Sequence, residues 1–337
     1  MSSIHKISVG VIGTGVLGRF HAQFYHQHPD VKLVGVYDID PNTAIEVAKV
    51  HSTQPFSTIK ELATNVDCVS IAVPTHRHHE VVSSVLNLGK HILVEKPLAS
   101  TILEGRELID AAKRRNLILQ VGHVEQFNPV IRFLEKRIQD PRFIESHRLA
   151  SYPPPRAGQL PRGTEVGVVL DLMIHDIDVI TTLVKSEIRQ IDAIGIPILS
   201  RTEDIANARL TFANGCVANL TASRVSQDQV RKIRVFQQNA YLSLDYQSKS
   251  GEIVTLDGKS LSREPVPIDD GNALKDEIAE FIRCVKYHNE SGKIPDSKVT
   301  GVRGLNALEI ASSILQEMQK LKNARDMPSQ ISDIIAN

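Results

Sequence analysis

The chain has 337 residues, a length that predicts two domains at the usual ~100 to 200 residues per domain. Hydrophobic residues make up 42%, which excludes a mainly disordered protein. Lys and Arg together number 39 and so do Asp and Glu, so no net charge draws the chain to nucleic acid or an anionic membrane. The longest charge-free stretch near the N-terminus, 7–18, is too short to span a bilayer, and no secretory signal is visible. We therefore expect a cytoplasmic protein.

The first part of the chain alternates short β-branched runs with helical patterns, which is typical of βαβ units around a doubly wound parallel sheet. A helix is predicted to begin after Thr101, because Thr101 and Glu104 stand at the spacing of a capping box. The predicted strands are 7–12, 33–37, 68–73, 91–94 and 117–121.

The sequence pattern changes after Asn128-Pro129, and we predict the domain boundary near Gly122, with a first domain over 1–122 and a second over 123–337. The second domain is predicted to be α/β, with a large, mostly antiparallel open sheet, a helix over 168–184 and two closing helices over 273–288 and 302–321. Asn214-Gly215 is a hairpin signal in which both residues need positive φ, and Asp257-Gly258 repeats it. The predicted strands are 143–150, 188–194, 205–212, 216–222, 230–236 and 241–245.

A glycine-rich motif follows the first strand directly and opens a helix. In such a loop the first glycine permits a tight turn, the second lets backbone approach a pyrophosphate, and the third lets helix and strand pack closely. The helix N-terminus adds free N–H donors and a partial positive charge. The motif therefore predicts a dinucleotide site formed by Gly13, Gly15, Val16, Leu17 and Gly18.

Asp38 ends the second strand, 20 residues after Gly18. A carboxylate at that position accepts hydrogen bonds from the adenosine ribose hydroxyls and repels a 2′-phosphate. The sequence thus favours NAD over NADP, although Arg77 or another basic group nearby would accommodate the phosphate. The alternative interpretation of Asp38 is a solvated turn before Asp40-Pro41.

Two loops at strand ends carry polar residues. Pro74, Thr75 and His78 follow the third predicted strand of this sheet, and Glu95 and Lys96 follow the next. Ligands bind at the carboxyl ends of the strands in open α/β sheets, so we expect both loops to border the nicotinamide. We predict no metal site, because no carboxylate or cysteine near the histidines of the first loop completes a ligand set.

Three residues are candidates for proton chemistry. Lys96 precedes Pro97 directly after a buried strand, and a partly buried lysine is an adjustable proton donor or acceptor. Asp171 and His175 lie four apart, hence on one face of the predicted helix, and an imidazole can accept a hydroxyl proton near neutral pH. The alternatives are a lysine that reaches solvent and pairs with Glu95, and an amphipathic helix with a polar stripe.

These motifs resemble the glucose-fructose oxidoreductase and inositol dehydrogenase family, written Gfo/Idh/MocA. The resemblance covers essentially the whole chain. It is carried by the order and spacing of the glycine loop 13–18, the Pro-Thr-x-x-His of 74–78, Gly89-Lys90-His91 leading to Glu95-Lys96-Pro97, and the Asp171-x3-His175 helix.

The resemblance implies an NAD(P)-dependent sugar or polyol oxidoreductase in which Lys96, Asp171 and His175 are catalytic and contact the substrate. It also implies that His123 helps to bind the cofactor, and that a homodimer or homotetramer forms through the open sheet of the second domain.

The stretches 121–129 and 171–178 look like the branch of the family that oxidises C3 of UDP-N-acetylglucosamine, although we expect an arginine there where this chain has Gln126. For such a substrate we expect Arg156 and Arg162 to hold the diphosphate and Tyr152 to pack on the sugar or base, since guanidinium groups suit phosphate oxygens. The alternative is a solvated proline-rich loop. Oxidation of another sugar or polyol, such as inositol or a UDP-aminosugar uronic acid, remains open, as does a non-catalytic dinucleotide sensor.

Overall fold

The computed structural model of the protein describes residues 6–154, 163–257 and 260–326. The chain forms two compact units. The first combines 1–132 with 269–308, and the second combines 133–268 with 309–337.

The first unit contains a six-stranded parallel sheet in the order β3-β2-β1-β4-β5-β6. All five strands predicted for it are present, and the additional strand, β3, has only two residues. Strands β2 and β3 are added on one side of β1, and β4, β5 and β6 on the other. The strand order therefore reverses between β1 and β4, which is where sheets of this order bind ligands. The strands are β1 (Ile7–Ile12), β2 (Val31–Tyr37), β3 (Gln54–Pro55), β4 (Cys68–Ile71), β5 (His91–Glu95) and β6 (Leu119–Gly122).

Helices cover both faces of this sheet, which explains the nearly continuous apolar character of its strands. The predicted capping box is confirmed, because Thr101 Oγ1 accepts from Glu104 N and the Glu104 carboxylate accepts from Thr101 N. The helices are α1 (Val16–Gln27), α2 (Pro41–Val50), α3 (Ile59–Thr64), α4 (His78–Asn87) and α5 (Ile102–Arg114). Helix α6 (Pro129–Arg137) begins in the first unit and ends in the second.

One helix belongs to the first unit although the sequence analysis placed it in the second domain. This is α8 (Ala273–Ser291), whose apolar face, with Ile278, Phe281, Ile282 and Val285, is buried in the same core as β1, β2 and α1. Its spacing predicts a buried helical face but not the sheet that the face covers, because that partner lies more than 200 residues earlier in the chain.

The second unit is built on an eight-stranded sheet in the order β14-β13-β12-β11-β7-β10-β9-β8. Its neighbouring strands are antiparallel except for β7 and β10, so the predicted mostly antiparallel sheet is confirmed. The strands are β7 (Pro141–Leu149), β8 (Ile188–Ile196), β9 (Ile205–Phe212), β10 (Val217–Ser223), β11 (Val230–Gln237), β12 (Ala240–Asp245), β13 (Ser250–Asp257) and β14 (Ser260–Pro265).

The hairpin at Asn214-Gly215 is present, but the prediction of its turn geometry was wrong. Of these two turn residues, only Gly215 has positive φ, at 85°. Gly215 N donates to Phe212 O, and Asn214 Oδ1 accepts from Cys216 N, so a turn of ordinary hand is followed by one left-handed glycine. The second signal is also confirmed as a hairpin, since Asp257 pairs with Ser260.

The helix predicted over 168–184 is present in two parts. A π-helical turn spans Val169–Met173, and α7 (Ile174–Val184) continues from it. Such wide turns occur frequently at functional sites. The last helix is α9 (Gly301–Asp326). None of the helices in the described ranges is long and apolar enough to cross a membrane.

Candidate functional site

The residues predicted to bind a dinucleotide follow five different strands of the first unit. The glycine loop follows β1, Asp38 follows β2, Pro74 and Thr75 follow β4, Lys96 follows β5, and His123 follows β6. Because all these strands are parallel, the five loops leave the same edge of the sheet. This edge is the one at which open α/β sheets bind ligands.

The three glycines of the loop meet different surroundings. Gly13 has φ of 85°, and a Cβ there would lie 2.6 Å from Ala72 O. A Cβ on Gly18 would lie 1.8 Å from Gly13 O, so helix α1 packs directly on the loop. A Cβ on Gly15 would have no atom within 4 Å. Gly15 is also the N-cap of α1, and no side chain caps that helix end, which leaves room and N–H donors for an anion.

This contrast provides a matched pair of variants. We expect Gly15→Ala to leave the unfolding midpoint of the free protein nearly unchanged and to weaken NAD binding about tenfold or more, because the methyl group occupies space that a pyrophosphate requires. Gly18→Ala should instead lower the unfolding midpoint, since the helix must move away from the loop. Thermal unfolding and calorimetric titration measure both effects. An unchanged NAD affinity in Gly15→Ala would contradict a pyrophosphate cradle at this loop.

The carboxylate of Asp38 is tied to the glycine loop. Its Oδ2 accepts from Thr14 N at 2.6 Å and from Thr14 Oγ1 at 3.1 Å, while Oδ1 accepts from Asp40 N at 3.0 Å. An ionised carboxylate has about four acceptor sites, so capacity for ribose hydroxyls remains. The loop therefore fixes the orientation of the carboxylate for which we predict ribose recognition. Arg77, the candidate partner of a 2′-phosphate, pairs with Glu80.

His78 connects two of the edge loops. Its Nδ1 lies 2.8 Å from Pro97 O and its Nε2 2.9 Å from Val73 O, and the side chain is buried. Burial lowers the pKa of this imidazole, which the two carbonyl groups partly oppose. In this structure His78 holds the Pro74–Thr75 loop against the turn that follows Lys96, where the Lys96-Pro97 peptide bond is cis.

Glu95 ends β5 beside Lys96 and is buried, whereas Lys96 is half-buried. Glu95 Oε1 lies 2.9 Å from His21 Nε2, and Oε2 lies 3.0 Å from where a Cβ on Gly122 would be. Burial by itself raises the pKa of Glu95, but the His21 hydrogen bond and the charges of His21, Lys96 and His78 outweigh it, so the pKa is lowered overall. Glu95 is therefore ionised at neutral pH.

The histidines of the β4 loop do not converge on one point. His78 contacts carbonyl oxygens, and His79 Nε2 lies 2.9 Å from Glu107 Oε2. Within residues 6–154, 163–257 and 260–326, no three His, Cys, Asp or Glu side chains are grouped as metal ligands would be.

The other two predicted catalytic residues belong to the second unit. Asp171 lies in the π-helical turn, and His175 is the second residue of α7. The carboxylate of Asp171 lies against Gly163, because a Cβ on Gly163 would be 2.7 Å from Asp171 Oδ2. Gly163 has φ of 79°, so both its backbone conformation and this approach favour glycine.

A buried arginine holds Gly163 in place. Arg224 Nη1 donates to Gly163 O at 2.7 Å and to Val166 O at 2.9 Å, and its Nε donates to Asp204 Oδ1 at 2.8 Å. Arg224 Nη2 donates to the hydroxyl oxygens of Ser200 and Thr202. The guanidinium group therefore joins the end of β10 to the segment that enters the π-helical turn.

Tyr152 follows β7 and is half-buried. Arg156 and Arg162, the predicted diphosphate ligands, lie outside the described residues. The sequence analysis did not identify His21 or Arg224, both of which contact residues next to the predicted catalytic positions.

Two family models match the chain. Residues 7–123 match the model described as the oxidoreductase family with an NAD-binding Rossmann fold, and residues 133–243 match the Gfo/Idh/MocA C-terminal domain. The first range contains all six strands of the parallel sheet, and the second runs from before β7 into β12 of the eight-stranded sheet.

Similar proteins agree with these matches. A UDP-N-acetylglucosamine 3-dehydrogenase of Acidithiobacillus ferrooxidans is 35% identical over 288 residues, which cover 83% of this chain and 88% of that protein. A solved structure of the dehydrogenase of that name and organism superposes with a TM-score of 0.85 at 33% identity, over 94% of this chain and 98% of that one. A scyllo-inositol 2-dehydrogenase (NAD(+)) of Bacillus subtilis is 28% identical over 239 residues, 66% of this chain and 68% of that protein. The chain therefore belongs to the Gfo/Idh/MocA family of oxidoreductases, and its first sheet is the NAD-binding Rossmann fold of that family.

Proposed function

We propose that the protein is a cytoplasmic NAD-dependent dehydrogenase that oxidises the C3 hydroxyl of UDP-N-acetylglucosamine to the 3-oxo sugar. The observation that carries this proposal is the similarity over most of both chains to a UDP-N-acetylglucosamine 3-dehydrogenase. The edge of the parallel sheet fits the cofactor, because the open space at Gly15 and the anchored Asp38 carboxylate suit a pyrophosphate and a ribose.

In the proposed reaction NAD supplies the hydride acceptor. His175 takes the hydroxyl proton, Lys96 polarises the hydroxyl oxygen, and Asp171 orients them. Lys96 and His175 can exchange roles, because an amine and an imidazole can each give or take a proton. The approach of Gly163 to the Asp171 carboxylate supports a fixed position for Asp171.

For the remaining predicted contacts, we propose that Val16, Leu17, Pro74, Thr75 and His123 border the cofactor. Tyr152, Arg156 and Arg162 are proposed to bind the nucleotide sugar, an assignment that for the two arginines rests on the sequence alone.

The substrate is tested by measuring NADH formation with UDP-N-acetylglucosamine, a UDP-aminosugar uronic acid and inositols. We expect the highest kcat/KM with UDP-N-acetylglucosamine. Arg156→Ala and Arg162→Ala should each raise its KM about tenfold or more through the loss of charged hydrogen bonds, and leave kinetics with a free polyol unchanged. An unchanged KM in both variants would show that neither arginine binds the diphosphate.

Oxidation of a free polyol is the second candidate function. The similarity to a scyllo-inositol dehydrogenase favours it, and Gln126 departs from the arginine expected for the UDP-sugar branch. Greater turnover of an inositol than of any UDP-sugar would establish it. NAD binding without oxidation of any sugar would instead favour the dinucleotide sensor.

The preference for NAD depends on the charge of Asp38. We expect Asp38→Asn to raise the affinity for NADP relative to NAD about tenfold, because the amide keeps an acceptor oxygen but no longer repels a 2′-phosphate. Calorimetric titration with both cofactors measures this ratio. An unchanged ratio would show that another group sets the preference.

We also propose that the protein is a homodimer or homotetramer that assembles through the sheet of the second unit. Phe143, Phe236 and Tyr241 form a half-exposed aromatic strip on adjacent strands, with ring centroids 5.6 and 4.7 Å apart. Light scattering should give a mass of two or four times 37.3 kDa.

A further inference from the structure

A continuous chain of hydrogen bonds runs through the core of the first unit to Glu95. Tyr25 OH lies 2.7 Å from Ser70 Oγ, Ser70 Oγ lies 3.0 Å from His21 Nδ1, and His21 Nε2 lies 2.9 Å from Glu95 Oε1. All four residues are buried, and the chain links helix α1 to strands β4 and β5. The roles proposed above for Lys96, Asp171 and His175 do not use His21, Ser70 or Tyr25.

The end of this chain at Glu95 has a defined direction. An ionised carboxylate bears no hydrogen, so Glu95 accepts and His21 Nε2 donates, whether or not the imidazole is protonated. The Ser70 hydroxyl can both donate and accept, and it joins His21 Nδ1 to Tyr25 OH.

We propose that His21 is a positioning residue that keeps Glu95 ionised beside Lys96. This inference rests on the proposed dehydrogenase function, because it gives Glu95 and Lys96 a part in setting the charge next to the reacting hydroxyl. His21 lies on the helix that begins at the glycine loop, three residues after Gly18. The same rigid element would therefore hold the cofactor pyrophosphate and orient the carboxylate next to Lys96.

The electrostatic surroundings agree with this assignment. Burial raises the pKa of Tyr25 well above its usual value, and the nearby Cys68 and Glu277 add to the rise, so Tyr25 remains a donor. At the other end, His21, Lys96 and His78 are the groups whose charges lower the pKa of Glu95 against the effect of burial. A carboxylate this deeply buried depends on such partners to stay ionised.

The test compares His21→Leu with His21→Gln in the full chain saturated with NAD. Leucine removes the donor to Glu95, so the pKa of Glu95 rises and the acidic limb of the kcat/KM profile should move up by about one pH unit or more. Glutamine retains a donor and should restore part of the shift. His26→Leu, on the exposed side of the same helix, is the control and should superimpose on the wild type.

A direct titration makes the proposal independent of the substrate. The Glu95 carboxyl carbon, labelled with carbon-13 and assigned with Glu95→Gln, should titrate at higher pH in His21→Leu than in the wild type, with or without NAD. Titration at the same pH in both proteins would overturn the proposal, whatever the kinetics show. A wild-type protein that oxidises no sugar would remove the proposed function, while the same titration would still decide the role of His21.

Discussion

Replacing Lys96 with methionine is expected to lower kcat by about 10²- to 10⁴-fold and to leave the affinity for NAD within a few fold of the wild type. A side chain that moves or polarises a proton in the transition state contributes a factor of this size. Methionine keeps the length and most of the apolar stem of lysine, so the half-buried position after β5 stays filled. Single-turnover formation of NADH, followed at 340 nm, measures the chemical step.

Two further variants show whether the effect belongs to the ammonium group. Lys90 precedes the same strand at its opposite end and is also half-buried, so Lys90→Met should leave kcat nearly unchanged. Lys96→Arg keeps a positive charge, but a guanidinium group does not give up a proton to act as an acid or base near neutral pH. If Lys96 only polarises the oxygen, Lys96→Arg should retain more activity than Lys96→Met. Equal activity of Lys96→Met and the wild type would exclude Lys96 from the reaction.

Replacing Arg224 with alanine is expected to destabilise the protein by about 3–5 kcal/mol. Asp204 is fully buried and accepts from the N–H groups of Ile198, Leu199 and Ser200 as well as from Arg224. Loss of the guanidinium group leaves this carboxylate without its buried countercharge and leaves the Gly163 carbonyl without a donor. The thermal midpoint should fall by about 6–20 °C, measured by calorimetry.

Arg209 is a matched control, because it lies on β9 of the same sheet and is exposed. Arg209→Ala should change the unfolding free energy by less than about 0.5 kcal/mol. Arg224→Lys keeps the charge but not the planar fork of donors, so it should recover only part of the stability. A thermal midpoint of Arg224→Ala within about 2 °C of the wild-type value would contradict the stabilising role of Arg224.

The ion pair of Arg224 and Asp204 also makes the stability of the protein depend on pH. Burial alone would raise the pKa of Asp204, but the Arg224, Ser200 and backbone hydrogen bonds lower it well below its usual value. A carboxyl group with a lowered folded-state pKa stabilises the protein above its unfolded value of about 3.9 and loses that contribution as the pH falls. Arg224→Ala should therefore show a smaller loss of stability between pH 5 and pH 3, measured by urea unfolding at about these pH values.

The parallel sheet and its glycine loop could be predicted because their signals are local. Strand β1 was predicted with its observed bounds, and Thr101 and Glu104 marked the start of α5, since a capping box depends on residues three apart. Asn214-Gly215 identified a hairpin but not its turn, because asparagine also fits a turn of ordinary hand.

The interactions that surround the candidate site were not predictable in the same way. Arg224 binds Gly163 and Asp204, which lie 61 and 20 residues away, and no local pattern joins them. The packing of α8 on the first sheet is equally distant in sequence. His21 did leave a signal, because Gly18, His21, Ala22 and Tyr25 share one buried face of α1, on which a histidine requires a partner.

The most direct measurement of the proposed reaction is hydride transfer from a labelled sugar. UDP-N-acetylglucosamine carrying deuterium at C3 is incubated with the protein and NAD, and the reduced cofactor is analysed by mass spectrometry and proton NMR. The proposed function predicts one deuterium per reduced cofactor, bound at C4 of the nicotinamide, together with a 3-oxo sugar. Reduced cofactor without deuterium, or reduction by an inositol but by no UDP-sugar, would contradict it.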